Sequence, residues 1–141
     1  MKIGGVETLL THGDRYCTGD VEYQQFRTIS RAPAWQAHVL SQPLAARRAL
    51  AAQARQKSIE HQQKMGGVSE ISDVVDSEVI TDLETARAHR VIHGHTHRPG
   101  AHKLTLGDGS SAERIVLSDW RTTGEALEVR ADGSIARHTL T

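Results

Sequence analysis

Short apolar runs recur along the chain with polar stretches between them. Their periods mark an early strand, a helical middle and a strand-rich end. Val6, Leu9 and Leu10 make a short strand that gives way to polar residues at Thr11. Asp20 suits a helix N-cap, with Tyr23, Phe26 and Ile29 spaced three apart behind it. Pro33 can open a second helix carrying Trp35 and Val39 on one side, and Pro43 a third, because proline's fixed φ fits a first helical turn. That third stretch, Leu44 to about Lys64, is rich in Ala, Gln and Arg. Its large apolar anchors are only Leu44, Leu50 and Ile59, so it buries little by itself. Gly66-Gly67 breaks the pattern. A further helix is predicted from Asp73 to Ala88, with Val75, Val79, Leu83 and Ala86 as its apolar stripe, acids early and arginine late.

Val91-Ile92 is a short strand that enters His93-Gly94-His95-Thr96-His97-Arg98-Pro99. Beyond it the period becomes two, with strands predicted at Lys103 to Leu106, Arg114 to Leu117, Leu127 to Arg130 and Ile135 to Leu140. Gly107-Asp108-Gly109 and Ala131-Asp132-Gly133 supply the turns.

Composition narrows the class. The 141 residues suit one domain or a piece of a larger one, and 38% are apolar with only 4% aromatic, so the core must be mainly aliphatic. Seventeen basic and seventeen acidic side chains cancel, which argues against a broad nucleic-acid footprint. A single cysteine, Cys17, excludes an internal disulfide framework and fits a reducing compartment. No apolar run approaches the roughly 20 residues of a membrane span, and no secretory leader opens the chain. These features read as a soluble intracellular protein. The unusual count is nine histidines.

Two segments concentrate them. In an extended strand or loop, His95 and His97 project to one side and can face a common site, and Gly94 lets backbone pass close to a ligand. Imidazole is the commonest nitrogen ligand for borderline divalent metals. A His-rich surface loop is the bland alternative, against which the full Gly-His-Thr-His-Arg-Pro string weighs. Thr11-His12-Gly13-Asp14 also lies just past a strand, where ligands in α/β proteins are often placed. A turn or capping role fits it equally well. Three imidazoles are a poor full set for two metals, and neither Asp14 nor Asp20 has obvious bridging geometry.

These motifs resemble the calcineurin-like metallophosphoesterases. Within them the pattern is nearest to the family of pyrophosphatases acting on UDP-2,3-diacylglucosamine in bacterial lipid A synthesis. The resemblance rests on Leu10 to Asp14, Cys17-Thr18-Gly19-Asp20, Tyr23 to Arg27, Ile92 to Pro99 with His102, and Val116 to Trp120. It implies an α/β fold, the C-terminal half of a four-layer αββα sandwich, with a helical lid inserted at 33–64. It implies that His12 and His95 bind one metal and His97 the other, that His95 also meets the substrate phosphate as the catalytic histidine, and that Asp20, Ser58, Gln62 and Lys64 contact substrate. It further implies two divalent ions (Mn²⁺), water attack releasing UMP and 2,3-diacylglucosamine 1-phosphate, and peripheral contact with the cytoplasmic face of the inner membrane. Gly19 stands where the family often has an acidic residue.

The family's Asp-x-His, Gly-Asp-x-x-Asp and Gly-Asn-x-Asp motifs, which precede its His-Gly-Asp segment, do not occur here. The sequence therefore reads as the C-terminal part of such an enzyme. Two alternatives stand beside a hydrolase: a non-catalytic fragment with weak metal or lipid binding, and a metallophosphoesterase for another phosphoester.

Overall fold

The computed structural model describes residues 1–64 and 73–140. Gly66-Gly67 thus lies outside the described residues. Contacts divide the chain into two compact units, Met1–Cys17 with Val74–Thr141, and Thr18–Asp73.

The first unit is built on a five-stranded mixed sheet. Its strands are β1 (Lys2–Ile3), β2 (Val6–Thr11), β3 (Arg90–His93), β4 (Gly100–Thr105) and β5 (Ser111–Val116), in the order β1-β2-β3-β5-β4. The central β2, β3 and β5 run parallel, and the outer strands are antiparallel to their neighbours. All four residues of β3 are buried, as a central parallel strand requires. A separate hairpin follows, β6 (Gly124–Val129) with β7 (Ile135–Leu140). Arg137 ties the hairpin to the sheet, donating to the carbonyls of Gly100 at 2.9 Å and Val116 at 2.8 Å.

Helix α4 (Asp76–Ala86) covers the sheet, and Tyr16, Val79, Leu83, Ala88, Val91, Leu104, Leu106 and Ala112 form one apolar core. The helix is shorter than its apolar period predicts. Arg87 takes a left-handed conformation at φ 51° and ends it. That turn leaves Ala86 exposed and hands its expected core place to Ala88. Strands β4, β5 and β6 each begin about three residues earlier than the alternation alone marks, because ladder pairing extends into polar positions such as His102 and Glu113. In β2 it is Thr8 that is fully buried, while Leu10 faces outward.

The second unit holds α1 (Val21–Arg31), α2 (Pro33–Ser41) and α3 (Leu44–Lys64). Asp20 caps α1, accepting from the Tyr23 amide at 3.0 Å, and Pro33 opens α2. Phe26, Ile29, Leu40, Leu44, Leu50 and Ile59 are all exposed. No described helix is long and apolar enough to cross a membrane.

Tyr16 fixes the short 3₁₀ turn Asp14–Tyr16 to α4 by donating its hydroxyl to Asp82 at 2.9 Å; Arg15 pairs with the same carboxylate. Burial pushes the Tyr16 phenol above its ordinary value, against the opposing pull of Arg15. A raised folded value means the native state holds this proton more tightly than the unfolded chain does. The stabilisation is therefore complete below about pH 10 and is lost as pH rises through the folded value. Stability of Tyr16→Phe, followed by urea unfolding, should fall less steeply over the alkaline range than that of the wild type; parallel profiles would contradict the assignment.

Candidate metal centre

Strands β2 and β3 end side by side, with Thr11 opposite His93. Parallel pairing sends both following loops out of the same end of the sheet. Past the last ladder pair, the Gly94 amide donates to the His12 carbonyl at 3.1 Å. The two histidine segments are thus joined through backbone before any side chain is considered.

This junction sets the rings of His12 and His95 edge to face, their centroids 4.9 Å apart. His12 Nδ1 lies 3.2 Å from Asp14 Oδ1, a buried carboxylate, while the His12 side chain is itself largely exposed. A carboxylate on Nδ1 fixes ring orientation and turns Nε2 away from it, as behind many metal-binding imidazoles. His97 is held likewise, its Nδ1 3.4 Å from Asp119 Oδ2. Arg121 also bonds Asp119 and, as the main cause, holds that carboxyl below the usual range.

Burial lowers the basicity of His95, and the charge of His12 lowers it further, with smaller effects of the same sign from His97 and His93; Asp14 pulls the other way. A lowered value keeps the ring neutral near pH 7, the state in which imidazole binds a metal.

The loop is not extended. His95 has φ 69° and His97 φ 54°, both in the left-handed region, so the expectation that alternation along a strand aligns these side chains is wrong. The chain must reverse direction here, and the Thr96 amide donates back to the Gly94 carbonyl at 2.9 Å. His95 reaches His12 because of that tight turn.

The other expected site residues belong to the helical unit. Asp20 serves as the α1 cap, and its Oδ2 lies 3.2 Å from His61 Nε2; His61 Nδ1 in turn lies 3.0 Å from Glu22. Ser58 is exposed on α3. The side chains of Gln62 and Lys64 lie outside the described residues. Sequence reasoning did not find His93, Gly13, Asp119 or His61 as supporting residues. His93 and Gly13 sit within the quoted motifs, but nothing in their spacing marks them as contacts.

As a cation site the arrangement is partial. Two adjacent imidazoles, one backed by a buried carboxylate, suit nitrogen ligation of a divalent ion. Among the described residues, however, no three His, Cys, Asp or Glu side chains are gathered closely enough to hold one.

No family model matches the chain. Curated relatives that it matches are named as hydrolases. It is 49% identical over 136 residues, 95% of its length, to the UDP-2,3-diacylglucosamine hydrolase of Cellvibrio japonicus (strain Ueda107), covering 55% of that protein. The enzymes of the same name from Xanthomonas campestris pv. campestris (strain 8004) and Stenotrophomonas maltophilia (strain K279a) are 47% and 46% identical, each over 134 residues, 92% of this chain and 54% of theirs. By sequence the chain is a relative of the UDP-2,3-diacylglucosamine hydrolases along nearly all of its own length. It spans about half the length of the curated relatives it matches.

Gly13 is the tightest constraint at the junction. It has φ 98°, and a Cβ there would sit 2.6 Å from His93 Nδ1 and 3.2 Å from the Gly94 carbonyl oxygen. Gly13→Ala should cost about 1–3 kcal/mol in denaturant unfolding, from left-handed strain and the displaced ring. An unchanged midpoint would show that the two loops are not in contact as described.

Proposed function

We propose that this chain carries the imidazole part of the metal site of a UDP-2,3-diacylglucosamine hydrolase. The supporting observation is the His12–His95 pair, 4.9 Å between ring centroids, formed by segments some eighty residues apart in sequence. His12 and His95 hold one divalent ion and His97 the other, with Mn²⁺ the expected metal. When bound, such ions supply Lewis acidity toward a phosphate and lower the pKa of coordinated water. The chain's own contribution is to orient these imidazoles and to keep one of them neutral: Asp14 orients His12, Asp119 orients His97, and burial keeps His95 unprotonated. By the resemblance, His95 would also meet the substrate phosphate, and Asp20, Ser58, Gln62 and Lys64 would contact the nucleotide-lipid. UMP and 2,3-diacylglucosamine 1-phosphate are the products.

The five-stranded sheet, α4 and the β6–β7 hairpin form part of a metallophosphoesterase sandwich, and 33–64 serve as its lid. The exposed Leu40, Leu44, Leu50 and Ile59 would shelter acyl chains, and the part-buried Arg47 with the exposed Arg48 and Arg55 would meet anionic headgroups on the cytoplasmic face of the inner membrane.

The absence of a three-donor group among the described residues favours a second reading, in which this chain alone holds a metal weakly and turns nothing over. One set of assays separates the two. Isothermal titration should show Mn²⁺ binding that weakens by more than about 100-fold in His12→Ala or His95→Ala, since losing a ligand costs more than losing its supporting partner. UMP release from UDP-2,3-diacylglucosamine, dependent on Mn²⁺ and lost in His95→Ala, supports the hydrolase. Binding without release supports the second reading. Mn²⁺ binding that both variants retain contradicts the site, and turnover of an aryl phosphate but not the lipid nucleotide contradicts the substrate.

A further inference from the structure

We infer that His93 is the positioning residue of this site, acting through the backbone turn that presents His95. His93 is fully buried at the end of β3. Its Nδ1 lies 2.8 Å from the Gly94 carbonyl oxygen. Its Nε2 lies 3.5 Å from Nη1 of Arg114, itself buried on β5. A guanidinium can only donate, so Nε2 accepts and the proton resides on Nδ1. The ring therefore donates to Gly94, and Arg114 selects the tautomer that allows it. Arg114 is ion-paired in turn with the half-exposed Asp76 in the first turn of α4, its Nε 3.3 Å from the carboxylate but outside hydrogen-bond geometry.

The bond matters because of where the Gly94 carbonyl sits. It accepts the Thr96 amide at 2.9 Å across His95, whose φ is 69°. A hydrogen bond spanning two residues around a positive φ is the rare, strained form of γ-turn. Strain of this kind persists only where surrounding groups over-determine it. Here the His93 imidazole supplies a second donor to the same oxygen and fixes the peptide plane entering His95. The adjoining peptide is fixed by the Gly94 amide on the His12 carbonyl. Both peptides before His95 are thereby locked, one to the His12 segment just past β2 and one to a buried ring. Those two bonds set the backbone from which the His12 and His95 side chains approach each other. The consequence for metal affinity rests on the functional reading above; the consequence for the turn does not.

The side chain of Asn places an N–H donor at the position of Nδ1, whereas that of Gln places it near Nε2. His93→Asn and His93→Gln are similar in polarity and are compared after urea unfolding shows both to be folded. In the metal-free full chain, His93→Asn should keep the nuclear Overhauser contact between the His12 and His95 rings and the slow exchange of the Thr96 amide. His93→Gln should lose the ring contact and exchange Thr96 about tenfold faster, the effect of one missing hydrogen bond. Mn²⁺ affinity should fall about 10–100-fold in His93→Gln and remain near wild type in His93→Asn. Equal behaviour of the two folded variants, whether both keep or both lose the turn, overturns the inference. If the wild type itself shows no Mn²⁺ binding, the functional reading falls, while the ring contact and Thr96 exchange still decide the role of His93.

Discussion

Where the parallel strands β2 and β3 end, the Gly94 amide meets the His12 carbonyl at 3.1 Å, and the candidate site depends on that bond. It adds one more rung to the ladder after the strands have stopped, so the two loops cannot part independently. Parallel pairing supplies the common direction, and the rung supplies the distance. His12 and His95 then meet even though the whole helical unit and α4 lie between them in sequence. The sheet acts here as a device for bringing remote residues to one edge, and α4 secures it by burying Val79 and Leu83 in the core.

Much of this was legible in the sequence because it depends on local chemistry. The Asp20 cap, the Pro33 start and the span of α3 follow from side-chain acceptors, fixed φ and helix propensity, none of which needs tertiary context. The histidine segments were legible because each follows a short apolar strand. The rest depends on long-range pairing. The early starts of β4, β5 and β6 come from ladder partners, which periodicity does not encode. The early end of α4 comes from one left-handed residue, Arg87, and no apolar pattern announces it. The conformation at His95 and His97 was misread because alternation is informative only in extended chain, and this loop turns.

His93 illustrates the difference most clearly. It stands in the same string as His95 and His97, so composition cannot separate a buried histidine from an accessible one. Burial separates them. His93 is wholly enclosed with both ring nitrogens facing protein groups, whereas His97 is exposed and His95 is half-buried beside the exposed His12. Relatives bearing the name UDP-2,3-diacylglucosamine hydrolase extend well beyond the length matched here. Buried support of this kind permits a strained turn to persist at the surface, where its imidazole can be used.

The most direct measurement is anomalous diffraction from crystals of the chain soaked in Mn²⁺. The account predicts a manganese peak bound by ring nitrogens of both His12 and His95, with Asp14 still on His12 Nδ1. A well-occupied peak elsewhere, or none at saturating Mn²⁺ with the two rings in place, would contradict it.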